Sequence, residues 1–300
     1  MISRFDYLPP ERSFLDPVRE DAHCPEAARA VVIPFGLEAT VSYGGGTSKG
    51  PAAILAASHQ LELFDEELWR EPYKDYGIAT LREPVVAQPV AAALDQIEGI
   101  VENVLAAGKF PFVLGGEHAL TAGAIRPFAR RYPDLVVLQF DAHADLRDGY
   151  LGEPYSHAAV MRRVLDHAHV RLVSVGIRAI SAEEAAYFEQ NRHRIDVHWA
   201  KDRTRWNVET IVAPLRGRPV YVSFDIDALD AALMPATGTP TPGGLSYLTA
   251  LTILRRAAEV STIVGSDLVE LAPVPYFHAC DYTAAALAYK MLTYSLLRPS

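Results

Sequence analysis

Short apolar runs recur along the chain between longer, helix-like stretches, and this alternation is the feature that most constrains the fold. Two of the runs, at 112–114 and 135–138, contain no polar residue, which is typical of strands buried on both faces of a parallel sheet. We therefore predict an α/β fold with three layers, α/β/α, and a mostly parallel eight-stranded sheet. The candidate strands lie at 30–33, 75–80, 110–114, 135–140, 170–176, 195–199, 219–224 and 262–270.

A single domain over residues 1–300 is predicted, because the sequence contains no internal repeat, low-complexity tract or linker. Residues 1–30 show scattered charge without periodicity, so we expect an irregular N-terminal arm. Pro51 and the apolar spacing over 54–64 predict a helix that begins near the proline. The glycine-rich segment 43–47 matches neither GxGxxG nor GxxxxGK(S/T), which favours a tightly turned or mobile loop beside a site over a phosphate-binding loop.

The composition excludes several classes of partner. Acidic residues outnumber basic ones 37 to 28, and no basic run is long enough to follow a phosphate backbone, so nucleic acid is not expected and a small cation is favoured. No apolar run approaches the ~20 residues that cross a bilayer, and the N-terminus does not resemble a signal peptide. We expect no membrane partner and a cytoplasmic location. Cys24 and Cys280 do not have metal-type spacing, so any metal would be held by oxygen and nitrogen.

Charged and imidazole side chains follow three of the predicted strands. In Asp141-Ala-His143-Ala-Asp145, alternate residues of an extended chain would project to one side. Any one of these strand ends could be a solvated turn or a helix cap, but clustered buried carboxylates repel one another unless cations are present. Because parallel strands end at one edge of the sheet, the six side chains should meet there: His118, Asp141, His143, Asp145, Asp225 and Asp227.

The composition of this set indicates the metal. Four carboxylates carry four negative charges, which match two divalent ions. Oxygen-rich ligands disfavour zinc and copper, while two histidines disfavour magnesium and calcium, so two Mn²⁺ per chain are predicted ahead of Fe²⁺ or Co²⁺. Ions about 3.5–4 Å apart can share one solvent molecule and lower its pKa, so hydroxide is the expected nucleophile.

Three motifs in the chain resemble those of the ureohydrolases, the arginase and agmatinase family. They are GGEH at 115–118, DAHAD at 141–145 and SFDIDALDAALMPATGTPTPGGLS at 223–246. The resemblance extends from about residue 31 to the C-terminus and implies an arginase-like fold. It also implies two ligand sets with Asp141 and Asp225 as bridges: His118, Asp141, Asp145 and Asp225 for one Mn²⁺, and Asp141, His143, Asp225 and Asp227 for the other.

The same resemblance implies roles for residues outside the metal ligands. His157 would shuttle protons, Glu270 would bind the substrate guanidinium, and Thr239 would lie near the same group; Asp141, as a bridge, is counted with the catalytic residues. A carboxylate can hold a planar guanidinium through two charge-assisted hydrogen bonds, and a histidine can protonate a leaving amine. The chain departs from the family pattern at Glu117, Ala119 and Ala231, where GGDHS and Asp-Pro are common, which puts rate and metal affinity in doubt.

The substrate prediction depends on the short loop 146–156, which contains no asparagine and resembles the agmatinase branch, as does the segment 41–51. We predict hydrolysis of agmatine to putrescine and urea, a step of polyamine biosynthesis. Acidic or aromatic loop residues would bind the ammonium tail of agmatine. The alternative for each of these residues is that its side chain is simply solvated. The candidates are Asp148, Tyr150, Glu153 and Tyr155.

Other readings of the sequence stay open at this point. N1-aminopropylagmatine is a competing substrate, and arginine and guanidinobutyrate are less favoured, since only Arg147 in the loop could anchor a carboxylate. A deacetylase-like zinc amidohydrolase would be expected to have tandem catalytic histidines and one metal. A metal-free binding or regulatory homologue would lack ligands. The family resemblance further suggests a homo-oligomer, a trimer or hexamer.

Overall fold

The computed structural model describes residues 5–297; residues 1–4 and 298–300 of the predicted domain lie outside this range. Within it, eight strands form one sheet in the order β2-β1-β3-β8-β7-β4-β5-β6, and all neighbouring strands are parallel. The strands are β1 (Ala30–Phe35), β2 (Ile78–Thr80), β3 (Phe110–Gly115), β4 (Val136–Phe140), β5 (Arg171–Ile177), β6 (Ile195–Trp199), β7 (Pro219–Asp225) and β8 (Thr262–Val269).

Helices cover both faces of this sheet. They are α1 (Gly50–Ser58), α2 (Tyr73–Tyr76), α3 (Val90–Ala106), α4 (Thr121–Ala124), α5 (Arg126–Arg131), α6 (Val160–Val164), α7 (Ala182–Asn191), α8 (Val208–Val212), α9 (Tyr247–Val260) and α10 (Ala279–Leu296). Alternate residues of β1 enter two different apolar clusters, Val32 packing with residues of α1, α9 and α10, and Val31 with residues of α3, α5 and α6. The predicted three-layer α/β/α fold is thereby confirmed.

The structure corrects two predicted boundaries. Residues 75 and 76 belong to α2 rather than to a strand, because Tyr73 and Tyr76 are both buried at helical spacing. Helix α1 begins at the predicted place but ends at Ser58, although the apolar spacing continues to Phe64. The Ser58 hydroxyl accepts a hydrogen bond from the Leu15 amide and donates to the Leu55 carbonyl, so this position is fixed by the N-terminal segment.

The N-terminal segment covers one edge of the sheet. Arg19 is 3% exposed and donates hydrogen bonds to the carbonyl oxygens of Phe14 and Ile78, both at 2.6 Å. Asp21 accepts the Ile78 amide at 2.7 Å. These bonds satisfy backbone groups of β2, which as an edge strand would otherwise present them to other chains.

The central strands determine where a site can form. Strands β3, β8, β7 and β4 are neighbours in this order, and their carboxyl ends deliver the segments that contain all the predicted metal ligands and Glu270. In an open parallel sheet this edge is the usual place for a ligand. No helix among residues 5–297 has both the length and the apolar character needed to cross a bilayer.

Candidate metal centre and substrate cavity

Two short turns aim alternate side chains of DAHAD and DID at one point. The Asp141 carboxylate accepts the His143 amide at 2.6 Å, and the Asp225 carboxylate accepts the Asp227 amide at 2.8 Å. Such Asx-type bonds turn the chain directly after a strand. Asp227 in turn accepts the Ala142 amide at 2.9 Å, which ties the two strand ends together.

The predicted ligands converge in two groups that share Asp141. One consists of His118, Asp141 and Asp145, and the other of Asp141, His143 and Asp227. The Nδ1 atom of His118 lies 3.1 Å from an Asp145 oxygen and 3.2 Å from an Asp141 oxygen. His143 Nδ1 lies 3.0 Å from Asp227 Oδ2. Two cation positions with a common carboxylate fit this arrangement.

Asp225, the second predicted bridge, lies at the edge of these groups. Its Oδ2 atom is 3.5 Å from His118 Nδ1, and neither convergent group contains it. Asp225 is nevertheless 3% exposed, and burial, followed by the charges of Asp227 and Asp141, raises its pKa well above the usual range. A buried carboxylate held beside two others would be stabilised in its ionised form by a cation.

The tautomer of His118 also fits a metal ligand. Its Nε2 atom lies 2.9 Å from the Ser223 hydroxyl, and that hydroxyl donates to Asp267 at 2.7 Å. Since the single hydroxyl proton is used on Asp267, Ser223 can only accept from His118, so Nε2 carries a proton and Nδ1 is the nitrogen that faces the carboxylates. Burial acts to lower the pKa of His118, but hydrogen bonds with Asp141 and Asp145 raise it well above its usual value. A divalent cation at Nδ1 would replace the proton that these carboxylates otherwise hold there.

The pKa shifts within the cluster also favour bound cations. Burial, with the charge of Asp141 as the next cause, raises the pKa of Asp145 to about 7. Burial acts to lower the pKa of His143, but the charge of Asp227 and contacts with Asp141 raise it to about 12. Without ions, protons on these groups balance the buried negative charge. Divalent cations would replace those protons.

A cavity of about 470 Å³ opens over the cluster. Five of the six predicted metal ligands line it, and Asp141 lies below them with no exposed surface. His157, Thr239 and Glu270, which were predicted to act on the guanidinium end of the substrate, also line it. The structure thus brings these predicted residues to one place.

Glu270 directly follows β8 and reaches the cavity from the middle of the sheet. Its carboxylate accepts the His118 amide at 2.6 Å, and its own amide donates to the Gly116 carbonyl at 2.9 Å. Burial raises the pKa of Glu270 to about 8. Its φ of 67° is in the left-handed region, a conformation that costs free energy and clusters at functional sites. The site therefore holds a desolvated carboxylate that a cationic group would stabilise in its ionised form.

His157 begins a short 3₁₀ helix, His157–Ala159, at the side of the cavity. Its Nδ1 atom lies 3.0 Å from the Thr40 hydroxyl, which leaves Nε2 for a ligand. Burial lowers the pKa of His157 to about 4. The ring of Tyr150 stands edge-on to the imidazole at 6.2 Å between centroids.

Three of the predicted substrate-tail residues do not reach the cavity. Asp148 is 66% exposed and pairs with Arg163 at 2.7 Å. Glu153 accepts the Tyr155 amide at 2.9 Å, and the Tyr155 side chain packs on the apolar cluster under the loop. These partners turn the three side chains away, so among the candidates only Tyr150 lines the cavity.

Two arginines line the cavity: Arg147, considered from the sequence only as an anchor for a carboxylate, and Arg178, which was not predicted. The guanidinium carbon of Arg147 lies 5.0 Å from the Tyr150 ring centroid, and Arg147 Nε lies 4.0 Å from Glu184. Arg178 donates to five backbone carbonyls, those of Gly176, Asp227, Leu229, Thr241 and Pro242. Arg178 therefore fixes the chain after β7, and nothing in its sequence context indicates this.

The glycine-rich loop lies beside the cavity, as predicted. Gly44 donates to the Gly238 carbonyl at 3.2 Å, and a Cβ atom on Gly44 would come within 2.8 Å of that oxygen. The neighbouring Tyr43 lines the cavity mouth and is 84% exposed. The glycines thus permit a close contact between two loops at the mouth.

Comparison with known proteins gives a consistent result. A sequence profile described as the Arginase family matches residues 28–294. The chain is 39% identical to an N(1)-aminopropylagmatine ureohydrolase of Synechocystis sp., over 89% of each chain. It is 38% identical to an agmatinase of Bacillus anthracis, over 87% of this chain and 89% of that one. An agmatine ureohydrolase of Thermoplasma volcanium superposes with a TM-score of 0.83 at 29% identity, over 95% and 94% of the two chains.

Proposed function

The chain belongs to the arginase family and is a ureohydrolase, and on this premise we propose that it hydrolyses agmatine to putrescine and urea with two Mn²⁺ ions. The observation that carries the proposal is a buried carboxylate, Glu270, in the same cavity as a cluster of four aspartates and two histidines. A guanidinium held by Glu270 would have its carbon over the cluster.

Six residues would hold the ions. They are His118, Asp141, His143, Asp145, Asp225 and Asp227. When bound, the ions would lower the pKa of water and supply hydroxide at neutral pH. The donor set has four carboxylates and two imidazoles, which supports Mn²⁺ over zinc or calcium.

Glu270 and His157 would act on the substrate itself. Glu270 can accept two hydrogen bonds from a planar guanidinium, and the positive charge would offset the desolvation that raises the pKa of this carboxyl. His157, with Nε2 free, would carry a proton to the departing amine. Thr239, also in the cavity lining, supplies a hydroxyl near the same group.

N1-aminopropylagmatine is the second candidate substrate. Relatives of both kinds match this chain almost equally, at 39% and 38% identity. Tyr43, exposed at the cavity mouth, could contact a cationic tail of either length. Arg147 also lines the cavity, but it lies beside Glu184 and the Tyr150 ring, which weakens it as an anchor for a carboxylate tail.

A urea-release assay on Mn²⁺-loaded protein tests the substrate. Agmatine, N1-aminopropylagmatine, arginine and guanidinobutyrate should be compared by kcat/KM, with agmatine expected to be highest. A higher value for any other guanidine would overturn the agmatine proposal.

Metal analysis separates the remaining classes. About two Mn per chain are expected for the proposed enzyme, one zinc for a deacetylase-like hydrolase, and none for a binding homologue. We also propose a cytoplasmic homo-oligomer, trimeric or hexameric, which sedimentation analysis would test; a monomer at assay concentration would contradict it.

A further inference from the structure

Thr40, in the loop after β1, is the main partner of the His157 imidazole. Its hydroxyl oxygen accepts the His157 backbone amide at 3.0 Å and lies 3.0 Å from His157 Nδ1. The other group near Nδ1, the Ser156 hydroxyl, is 3.5 Å away, at the limit of a hydrogen bond. One side chain from a distant part of the sequence therefore binds both the backbone and the ring of His157.

Glu117 in turn holds Thr40. This carboxylate has no exposed surface, and its Oε2 atom accepts the amides of Thr40 at 2.8 Å and Ala39 at 3.2 Å. Among residues 5–297, its other oxygen, Oε1, has no hydrogen-bond partner. Burying a carboxylate costs free energy. The hydrogen bonds that Glu117 accepts here hold the segment that contacts His157.

The hydroxyl of Thr40 can follow the protonation state of the histidine. When the imidazole is neutral with its proton on Nε2, the hydroxyl can donate to Nδ1. When the ring is protonated, Nδ1–H donates to the Thr40 oxygen. Both states keep a hydrogen bond at Nδ1, so the ring need not rotate while Nε2 gains and loses a proton.

We propose that Thr40 is a positioning residue that fixes the orientation of the His157 ring in both of its protonation states, and that Glu117 acts by holding the backbone of Thr40. The inference rests on the proposed role of His157 in the ureohydrolase reaction. It also explains why a longer acid stands in the GGEH motif, since Glu117 has to reach the amides of Ala39 and Thr40.

The kinetic test compares variants of Thr40 with a matched control. Thr40→Val keeps the side-chain volume but removes the hydroxyl. It should lower kcat about tenfold, a part of the roughly 10²–10⁴-fold that acid–base catalysis contributes, with little change in KM or bound metal. Thr40→Ser should restore most of kcat. Thr293→Val also loses a buried hydroxyl bond, to Tyr76 at 3.3 Å, and it lies outside the cavity, so its kcat should match the wild type.

A double-mutant cycle separates positioning from a general structural effect. If Thr40 and Glu117 act through His157, Thr40→Val or Glu117→Gln should cause no further loss in a His157→Ala background. A full additional loss there would overturn the proposal, as would a Thr40→Val enzyme as active as Thr293→Val.

Nitrogen NMR of the His157 ring gives a readout that does not need activity. Its two ¹⁵N resonances, assigned by their loss in His157→Ala, report tautomer and protonation. Thr40→Val should shift them and change their titration, while Thr293→Val should not; unchanged resonances would overturn the inference. Absence of urea release from every guanidine by the wild type would instead refute the proposed function and leave this measurement valid.

Discussion

Gly116 in the GGEH motif offers a sharp test of how the site is built. A Cβ atom at this position would lie 2.0 Å from the Leu37 carbonyl oxygen and 2.7 Å from the Leu37 nitrogen. Real Cβ atoms essentially never approach other atoms below 3.0 Å, so the two backbones would have to separate by about 1 Å. Overpacking of this kind costs about 1–3 kcal/mol, and the upper end applies because backbone cannot rotate away as a side chain can.

The same displacement would affect the metal centre. Gly116 donates to the Phe35 carbonyl and accepts the Glu270 amide, and its neighbours in sequence are Glu117 and His118. We expect Gly116→Ala to lower the free energy of unfolding by about 3 kcal/mol and to reduce bound Mn²⁺. Urea unfolding and elemental analysis would measure the two effects.

Two other glycines serve as controls for Gly116→Ala. At Gly115 the added atom would meet only side-chain ends, Leu120 Cδ2 at 2.5 Å and Val269 Cγ1 at 2.6 Å, so a smaller loss is expected. Gly99 is an exposed position inside α3 with no atom within 4 Å of the new Cβ, and Gly99→Ala should stabilise by about 0.5–1 kcal/mol. The steric argument is refuted if Gly116→Ala is as stable as Gly99→Ala.

Substitutions elsewhere in the site should distinguish the residues that bind metal from those that act in catalysis and from those that stabilise the surrounding loops. His157→Ala should lower kcat by about 100-fold or more without loss of metal, whereas Asp141→Ala should remove both; equal metal loss, by elemental analysis, would contradict these roles. A chelator should lower the thermal midpoint, because metal at about 100 times its Kd contributes about 2.7 kcal/mol; equal calorimetric midpoints with and without Mn²⁺ would argue against a metal centre. Arg178→Met should destabilise by about 1–3 kcal/mol, since partly buried carbonyls lose a charged donor; unchanged urea unfolding would show that those bonds contribute little.

The fold was predictable because strands buried on both faces leave a strong trace in the sequence. The apolar runs at 112–114 and 135–138 lie in β3 and β4, and all eight predicted strands are present among residues 5–297. The errors fall where distant contacts decide the local structure. Ser58 ends α1 through a bond to Leu15, and Asp148 turns from the cavity to Arg163; neither partner is visible in a local pattern.

The cluster of candidate metal ligands was predictable for a chemical reason, since few side chains can bind divalent ions and these follow strand ends. Their supporting residues were missed, although the sequence contains a signal for them. Ser223 and Asp267 are buried polar residues within strands β7 and β8. Most buried polar side chains have a hydrogen-bond partner; Ser266 in β8 has none among residues 5–297, whereas Ser223 and Asp267 bind each other and orient His118.

The same reasoning extends to β4 and β5. Gln139 precedes the DAHAD motif inside a buried strand, and it donates to Asp141 at 2.8 Å while accepting from Ser174 at 2.7 Å. Buried polar residues on four adjacent strands, β8, β7, β4 and β5, therefore lie beneath the cluster and fix its ligands. An unpaired polar side chain at any of these positions would cost free energy. These residues therefore do not stabilise the apolar core, and their positions are explained by the site above them. Where polar residues within buried strands pair with one another, as these four do, they indicate the support of a site whose candidate ligands follow the strand ends.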